Sequence, residues 1–154
     1  MMALAAIGHF DPASWQTSHA DPIVVLYTDI SRAYFNAPVK SDKYVVIPDE
    51  DMEDGDIGKY GKPNSSLYGT REAATNWEKH YSEWMESQSF TRGKATSCAF
   101  YSRPRRLRSI VHGDDFVAIG PMSEIMKFKR DIEKKYETRS TLFGPKEIKG
   151  CQQE

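Results

Sequence analysis

Two adjacent aspartates, Asp114 and Asp115, stand between two short runs of apolar and β-branched residues. Gly113 precedes them, and the flanking runs Leu107–His112 and Phe116–Ile119 have the composition and length of the two strands of a hairpin. Both carboxylates would then lie at the hairpin tip, where paired negative charge can hold a divalent cation. Gly and Asp are also favoured in ordinary hairpin turns, so the turn alone leaves both explanations open.

A third carboxylate, Asp29, follows the apolar run Ile23–Tyr27, with Thr28 between them. A polar residue that simply closes a strand is the ordinary explanation. Three carboxylates on neighbouring strand ends would nevertheless suit two-metal phosphoryl transfer, in which cations about 3.5–4 Å apart are clamped together. Mg²⁺ needs only one or two carboxylates when water and substrate phosphates complete its ligands. The three aspartates therefore indicate metal-assisted phosphoryl chemistry on a nucleotide.

The composition is that of one folded domain. The chain has 154 residues, 39% of them hydrophobic and 12% aromatic, which favours a globular core over disorder. A formal net charge of −1 argues against a globally basic nucleic-acid binder. Cys98 and Cys151 form no CxxC pair, so neither a zinc site nor a disulfide framework is indicated. Without a targeting signal or a membrane-spanning run in the sequence, we expect an intracellular protein of the cytoplasm or nucleus, with no membrane partner.

A small β-sheet must position the aspartates. The continuous apolar character of Ile23–Tyr27 predicts a central strand covered on both faces, and residues 44–47 predict a second strand. The other predicted strands are Cys98–Tyr101, Leu107–His112, Phe116–Ile119, Thr138–Leu142 and Glu147–Ile148.

Two amphipathic helices are predicted from apolar residues at helical spacing. The first has Thr70 as its N-cap, and its core-facing stripe consists of Ala74, Trp77, Tyr81, Trp84 and Met85. The second has Ser123 as its N-cap, and its stripe consists of Ile125, Phe128, Ile132 and Tyr136. The order of the elements predicts an α+β fold, in which helices pack on one face of an antiparallel sheet.

Two charged segments stay outside this scheme. The basic cluster Arg103–Arg108 lies roughly 20 Å from the aspartates, at about 3.3 Å per strand residue. It is either a solvated turn or a contact for a nucleic-acid backbone. Residues 49–61 are acidic, but a calcium loop is excluded because Met52 and Gly61 would fall at ligand positions.

Four segments resemble the reverse transcriptases of copia-type LTR retrotransposons. Residues 28–38 (TDISRAYFNAP) resemble motif A, and residues 66–69 (SLYG) together with Trp77 resemble the SLYG…W block. Residues 111–116 (VHGDDF) resemble the YVDD-type motif C, and residues 142–150 (LFGPKEIKG) resemble the segment after the palm. Each motif alone is weak, but the four stand in the family's order and cover nearly the whole chain.

The resemblance implies a ferredoxin-like reverse-transcriptase palm over residues 23–154, as a single domain. Residues 1–22 would be a remnant helix and linker, because residues 3–6 (ALAA) resemble the helix end before motif A. The family's fingers should precede Met1, and its thumb and RNase H should follow Glu154. Fingers and thumb are therefore expected to be largely missing.

The resemblance also implies roles for particular residues. Asp29 and Asp114 would ligate two Mg²⁺ (or Mn²⁺) ions, and Asp115 would complete the set of catalytic, metal-binding carboxylates. Tyr34 takes the steric-gate position, where an aromatic ring excludes a ribose 2′-hydroxyl, although a half-buried core aromatic is the alternative explanation. The residues expected to border the nucleotide, the template or the primer end are Ile30, Tyr34, Tyr68, Gly69, His112 and Gly113.

Two positions depart from the family's pattern. His112 and Gly113 replace the usual Tyr-Val, which removes a bulky wall beside the primer. Arg32 stands where the pattern has a small polar residue, and its role stays open.

The implied function is that of an RNA-directed DNA polymerase fragment, in which a primer 3′-hydroxyl attacks the α-phosphate of a deoxynucleotide. Its partners would be an RNA/DNA template-primer, a dNTP and the remaining polyprotein segments (integrase, fingers, thumb and RNase H). One alternative is a catalytically inactive relic of a truncated palm. Another is a nucleic-acid-binding module, which would expose aromatic side chains on the face of the sheet.

Overall fold

A computed structural model of the chain describes residues 20–144. The expectations for residues 3–6, for a strand at Glu147–Ile148 and for Cys151 fall outside this part. No helix within residues 20–144 is long and apolar enough to cross a membrane.

The described residues form eight strands, two α-helices and two short 3₁₀ helices. The strands are β1 (Ile23–Ile30), β2 (Val45–Val46), β3 (Tyr60–Gly61), β4 (Thr91–Arg92), β5 (Ala99–Ser102), β6 (Leu107–His112), β7 (Asp115–Pro121) and β8 (Thr138–Phe143). The α-helices are α1 (Ala73–Ser87) and α2 (Met122–Lys135), and the 3₁₀ helices occupy Ala33–Asn36 and Asp49–Asp51.

Six strands make one sheet in the order β4-β5-β6-β7-β1-β8, and every neighbouring pair is antiparallel. The predicted α+β class with an antiparallel sheet is therefore confirmed, and β6 has its predicted bounds. The strand predicted at residues 44–47 is reduced to Val45–Val46 and pairs only with β3, in a separate two-stranded sheet.

Both α-helices pack on the same face of the large sheet. The rings of Trp77 and Tyr81 on α1 meet Phe116 of β7 at centroid distances of 6.4 and 5.6 Å. Phe128 of α2 meets Trp84 of α1 at 5.9 Å. The buried cluster between sheet and helices also contains Val24, Leu26, Ile30, Phe100, Leu107, Val111, Ile125 and Ile132.

Strand β1 is not covered on both faces, so that prediction was wrong. Burial alternates along the strand, and only every second residue is fully buried. The opposite face of the sheet, called the open face below, carries the half-buried residues Ile23, Val25, Tyr27 and Asp29 of this strand. The alternation was hidden in the sequence because Ile23 and Val25 are apolar although they lie on the open face.

The helix α1 forms as predicted, but Thr70 is not its N-cap. The helix begins at Ala73, and the Thr70 hydroxyl donates to the Leu67 carbonyl at 2.8 Å, which closes a turn before the helix. Ala73 is buried and Ala74 is exposed. The core-facing stripe of this helix therefore begins at Ala73 and not, as predicted, at Ala74.

The N-cap predicted for α2 is also wrong, because Ser123 lies inside the helix. The Ser123 backbone N–H and hydroxyl donate to the two carboxylate oxygens of Asp21 at 2.9 and 2.8 Å. These hydrogen bonds, the backbone one foremost, lower the pKa of Asp21. The helix start is thus capped by a residue 102 positions earlier in the chain, beyond the reach of a local sequence pattern.

Replacement of Gly120 by alanine tests the close packing of β7 against the β5–β6 turn. A Cβ atom at Gly120 would lie 2.5 Å from Leu107 Cδ2 and 2.8 Å from the Arg106 carbonyl oxygen. The Leu107 side chain could rotate away, but relief of the second contact requires the backbone to shift. We expect Gly120→Ala to lower the free energy of unfolding by about 1–3 kcal/mol in urea titrations followed by circular dichroism.

Gly61→Ala is the matched control, because its Cβ would meet Ile47 Cγ1 at an ordinary 3.6 Å. It should change stability by no more than about 0.5 kcal/mol. Equal stability of the two variants would contradict the packing described here.

Candidate active site

Strands β1 and β7 pair in a register that sets Asp29 directly opposite Asp115. Both residues lie on the open face, because the next pair in the register, Thr28 and Phe116, is fully buried. Opposed side chains on one face have Cβ atoms about 5 Å apart, and two like charges at that distance destabilise the sheet. A cation between the two carboxylates would remove this repulsion.

Basic side chains extend the aspartate pair into a row across four strands. His112 of β6 is opposite Asp115, and Arg139 of β8 is opposite Asp29. The row therefore runs His112, Asp115, Asp29, Arg139, with the negative charges in its centre. His112 and Arg139 are both exposed.

Asp114 lies in the tight turn between β6 and β7. Gly113 has a φ of +63° and Asp114 has no positive φ, which is the pattern of a type II′ hairpin turn. The Asp114 carbonyl accepts a hydrogen bond of 3.0 Å from the Ile30 N–H, which ties the turn to the end of β1. The Asp114 side chain is exposed at the tip.

The same hydrogen bond involves Ile30, a residue expected to border the nucleotide. Its amide is already bonded to Asp114, and its side chain is fully buried. Ile30 therefore helps to hold the aspartate turn in place, and its position beside a nucleotide stays a prediction.

Trp77 of α1 holds the turn from the core side. Its indole N–H donates to the Gly113 carbonyl at 2.7 Å, and the residue is only 1% exposed. The ring also contacts Tyr136 at a centroid distance of 5.4 Å. Sequence reasoning placed Trp77 in the core but missed this hydrogen bond. The donor and acceptor are 36 residues apart, so the only local signal was a tryptophan within the SLYG…W block.

Tyr27 is a second residue that sequence reasoning missed. Its hydroxyl donates to Asp115 Oδ1 at 2.5 Å. This hydrogen bond, then desolvation and the charges of Asp115, Asp29 and Asp114, raises the pKa of Tyr27 to about 12. The signal in the sequence was period-two alternation, which places Tyr27 on the same face as Asp29.

Aromatic rings beside the end of β1 bring together several residues that the sequence singled out. The rings of Tyr34 and Tyr68 lie 4.5 Å apart between centroids, and those of Phe35 and Tyr68 lie 5.6 Å apart. Tyr34 is half-buried against the core, whereas Tyr68 and Phe35 are 49% and 44% exposed. Gly69, with a φ of +82°, turns the chain directly after Tyr68.

Arg32 borders an open groove next to these rings. The groove has a volume of about 320 Å³ and is lined by Ser31, Arg32, Phe35, Asn36 and Glu137. Arg32 adopts a φ of +52°, a conformation that L-residues rarely adopt. Its guanidinium lies 3.6 Å from the Glu137 carboxylate, and both side chains are more than 70% exposed.

The donor chemistry at the hairpin fits Mg²⁺ only in part. Within residues 20–144, no group of three or more His, Cys, Asp or Glu side chains converges closely enough to hold a metal ion. Asp29 and Asp115 nevertheless present hard carboxylate oxygens side by side on one face. A pair of carboxylates suffices for Mg²⁺ when water and substrate phosphates supply the other ligands.

Comparisons with known proteins agree with the motifs. A family model described as reverse transcriptase (RNA-dependent DNA polymerase) matches residues 16–146. The chain is also similar to the retrovirus-related Pol polyprotein from transposon TNT 1-94 of Nicotiana tabacum, with 24% identity over 121 residues. That match covers 76% of this chain but only 9% of the polyprotein, so the chain spans less than a tenth of this relative. No solved structure matches it significantly.

Trp77→Phe tests the indole anchor, because it keeps an aromatic ring and removes the N–H donor. The Gly113 carbonyl would lose this hydrogen bond, so we expect the free energy of unfolding to fall by about 1 kcal/mol in urea titrations. Trp84→Phe is the control, since the Trp84 indole donates no hydrogen bond within residues 20–144 and the residue is half-buried. Equal losses in the two variants would contradict an anchoring role.

Proposed function

Because this chain belongs to the reverse transcriptase (RNA-dependent DNA polymerase) family, as a fragment of the copia-type LTR-retrotransposon kind, we propose that it is the palm of an RNA-directed DNA polymerase. The observation that carries the proposal is the register of β1 and β7, which opposes Asp29 and Asp115 beside the Asp114 turn. The proposed reaction is attack by a primer 3′-hydroxyl on the α-phosphate of a deoxynucleotide.

In this proposal Asp29 and Asp114 hold two Mg²⁺ or Mn²⁺ ions, and Asp115 completes the carboxylate set. Bound ions would supply activation of the attacking oxygen and neutralisation of the charge that develops on the phosphate. The chain's own contribution is positioning. The Ile30 amide and the Trp77 indole fix the two carbonyls of the turn, so the exposed Asp114 side chain is presented at a defined place.

The row formed by His112, Asp115, Asp29 and Arg139 is proposed to face the nucleotide and the nucleic acid. Gly113 and His112 would lie beside the primer end, where the missing side chain of Gly113 leaves room. Tyr68 and Gly69 would border the nucleotide and the template strand. The proposed partners are an RNA/DNA template-primer, a dNTP and further segments of a Pol polyprotein.

A second candidate is a palm that binds nucleic acid without catalysis. One observation favours it, namely that the described carboxylates do not converge into a group of three. The open face also carries Tyr27, an aromatic residue next to the carboxylates, although its hydroxyl is engaged by Asp115.

Primer extension on an RNA template separates the two candidates. The folded protein should extend a labelled primer with dNTPs in Mg²⁺ or Mn²⁺, and Asp114→Asn should reduce the rate by about 10²-fold or more. Asp54→Asn is the matched control, because it removes an exposed carboxylate from the loop between β2 and β3. It should extend like the wild type.

Absence of extension by every variant would overturn the polymerase proposal. In that case fluorescence anisotropy with a labelled template-primer decides the second candidate. Retained binding supports a non-catalytic module, and loss of binding rejects it too.

Tyr34→Ala tests the proposed steric gate. If the Tyr34 ring excludes a 2′-hydroxyl, its removal should raise the ratio of ribonucleotide to deoxyribonucleotide incorporation by at least about tenfold. Phe35→Ala is the control, because Phe35 belongs to the same ring cluster but is more exposed. An unchanged ratio in Tyr34→Ala would show that Tyr34 is an ordinary core aromatic.

A further inference from the structure

The hydroxyl of Tyr27 makes the one side-chain hydrogen bond to Asp115 within residues 20–144. We propose that Tyr27 is a positioning residue for cation binding, because its hydroxyl fixes the Asp115 carboxylate beside Asp29. The inference rests on the proposed function, since it takes the aspartate pair as the cation site. It concerns Tyr27, which lies outside the four segments that resemble the family.

The strand register explains how the contact arises. Tyr27 is opposite Val117 on β7, and Asp29 is opposite Asp115, so Tyr27 and Asp115 are diagonal neighbours on the open face. Diagonal positions lie about 7–8 Å apart, a distance that an aromatic side chain can span. A shorter side chain at position 27 would not reach the carboxylate. The length of tyrosine and its terminal donor both match this geometry.

The hydrogen bond counters the main obstacle to a preformed cation site. Asp29 and Asp115 repel each other across the strands, so a free Asp115 carboxylate would turn away from Asp29. Tyr27 holds Asp115 through Oδ1 and leaves Oδ2 without a side-chain partner in the described residues. The hydrogen bond occupies Oδ1 and thereby keeps Oδ2 in a defined orientation, where it can bind a cation.

Ligating carboxylates are commonly held by such hydrogen bonds. Removal of a partner of this kind typically weakens metal affinity by about 10- to 100-fold. Tyr27 contributes no charge of its own, so its effect should pass entirely through Asp115. That dependence separates positioning from a general effect on the stability of the sheet.

A double-mutant cycle on Mn²⁺ affinity tests the inference. Free Mn²⁺ is followed by electron paramagnetic resonance with the wild type, Tyr27→Phe, Asp115→Asn and the double variant. We expect Tyr27→Phe to weaken binding about tenfold or more, and to have no further effect in the Asp115→Asn background. Tyr101→Phe, which changes a half-buried tyrosine of β5, is the matched control and should bind Mn²⁺ like the wild type.

The possible results are distinguishable. Unchanged or tighter binding by Tyr27→Phe, with the wild type binding normally, overturns the inference and leaves the proposed function intact. Equal weakening by Tyr27→Phe in both backgrounds also overturns it, because the effect would not pass through Asp115. Absence of binding by the wild type, with Asp29→Asn indistinguishable from it, overturns the proposed cation site and the inference together.

Discussion

The antiparallel pairing of β1 with β7 is the constraint on which the rest of the structure depends. One register sets Thr28 against Phe116 in the core and Asp29 against Asp115 on the open face. A slip by one residue would move every side chain of the strand to the other face, so the core and the aspartate pair cannot be changed independently. Burial of Val24, Leu26 and Ile30 thus stabilises an arrangement in which two like charges are opposed.

The hairpin that carries Asp114 is held by the interior rather than by its own turn. The Ile30 amide reaches the Asp114 carbonyl from β1, and the Trp77 indole reaches the Gly113 carbonyl from α1. Both donors belong to buried residues, whereas the carboxylates themselves are exposed or half-buried. A backbone held in place beneath exposed carboxylates favours binding of a cation or a triphosphate, because less positioning is then needed on binding.

The sequence predicted local features better than long-range contacts. The bounds of β6, the two helices and the Asp114 turn followed from periodicity and turn composition. The prediction that β1 is covered on both faces was wrong, because apolar residues also occupy the open face of this strand. Strands β3 and β4 were not predicted, because two residues are too few to show a periodic pattern. The Tyr27–Asp115 hydrogen bond joins residues 88 positions apart, and the cap of α2 by Asp21 joins residues 102 apart. Such contacts depend on the assembled sheet, so local pattern could not predict them.

The location of a bound cation is the most direct test of this account. Substoichiometric Mn²⁺ should broaden the backbone amide signals near Asp29 and of residues 113–115 first in ¹⁵N-resolved NMR spectra. The acidic loop between β2 and β3 offers the competing site, since residues 49–56 carry six carboxylates. Broadening centred on residues 49–56, with the hairpin signals unchanged, would contradict the claim that the β1–β7 register builds the cation site.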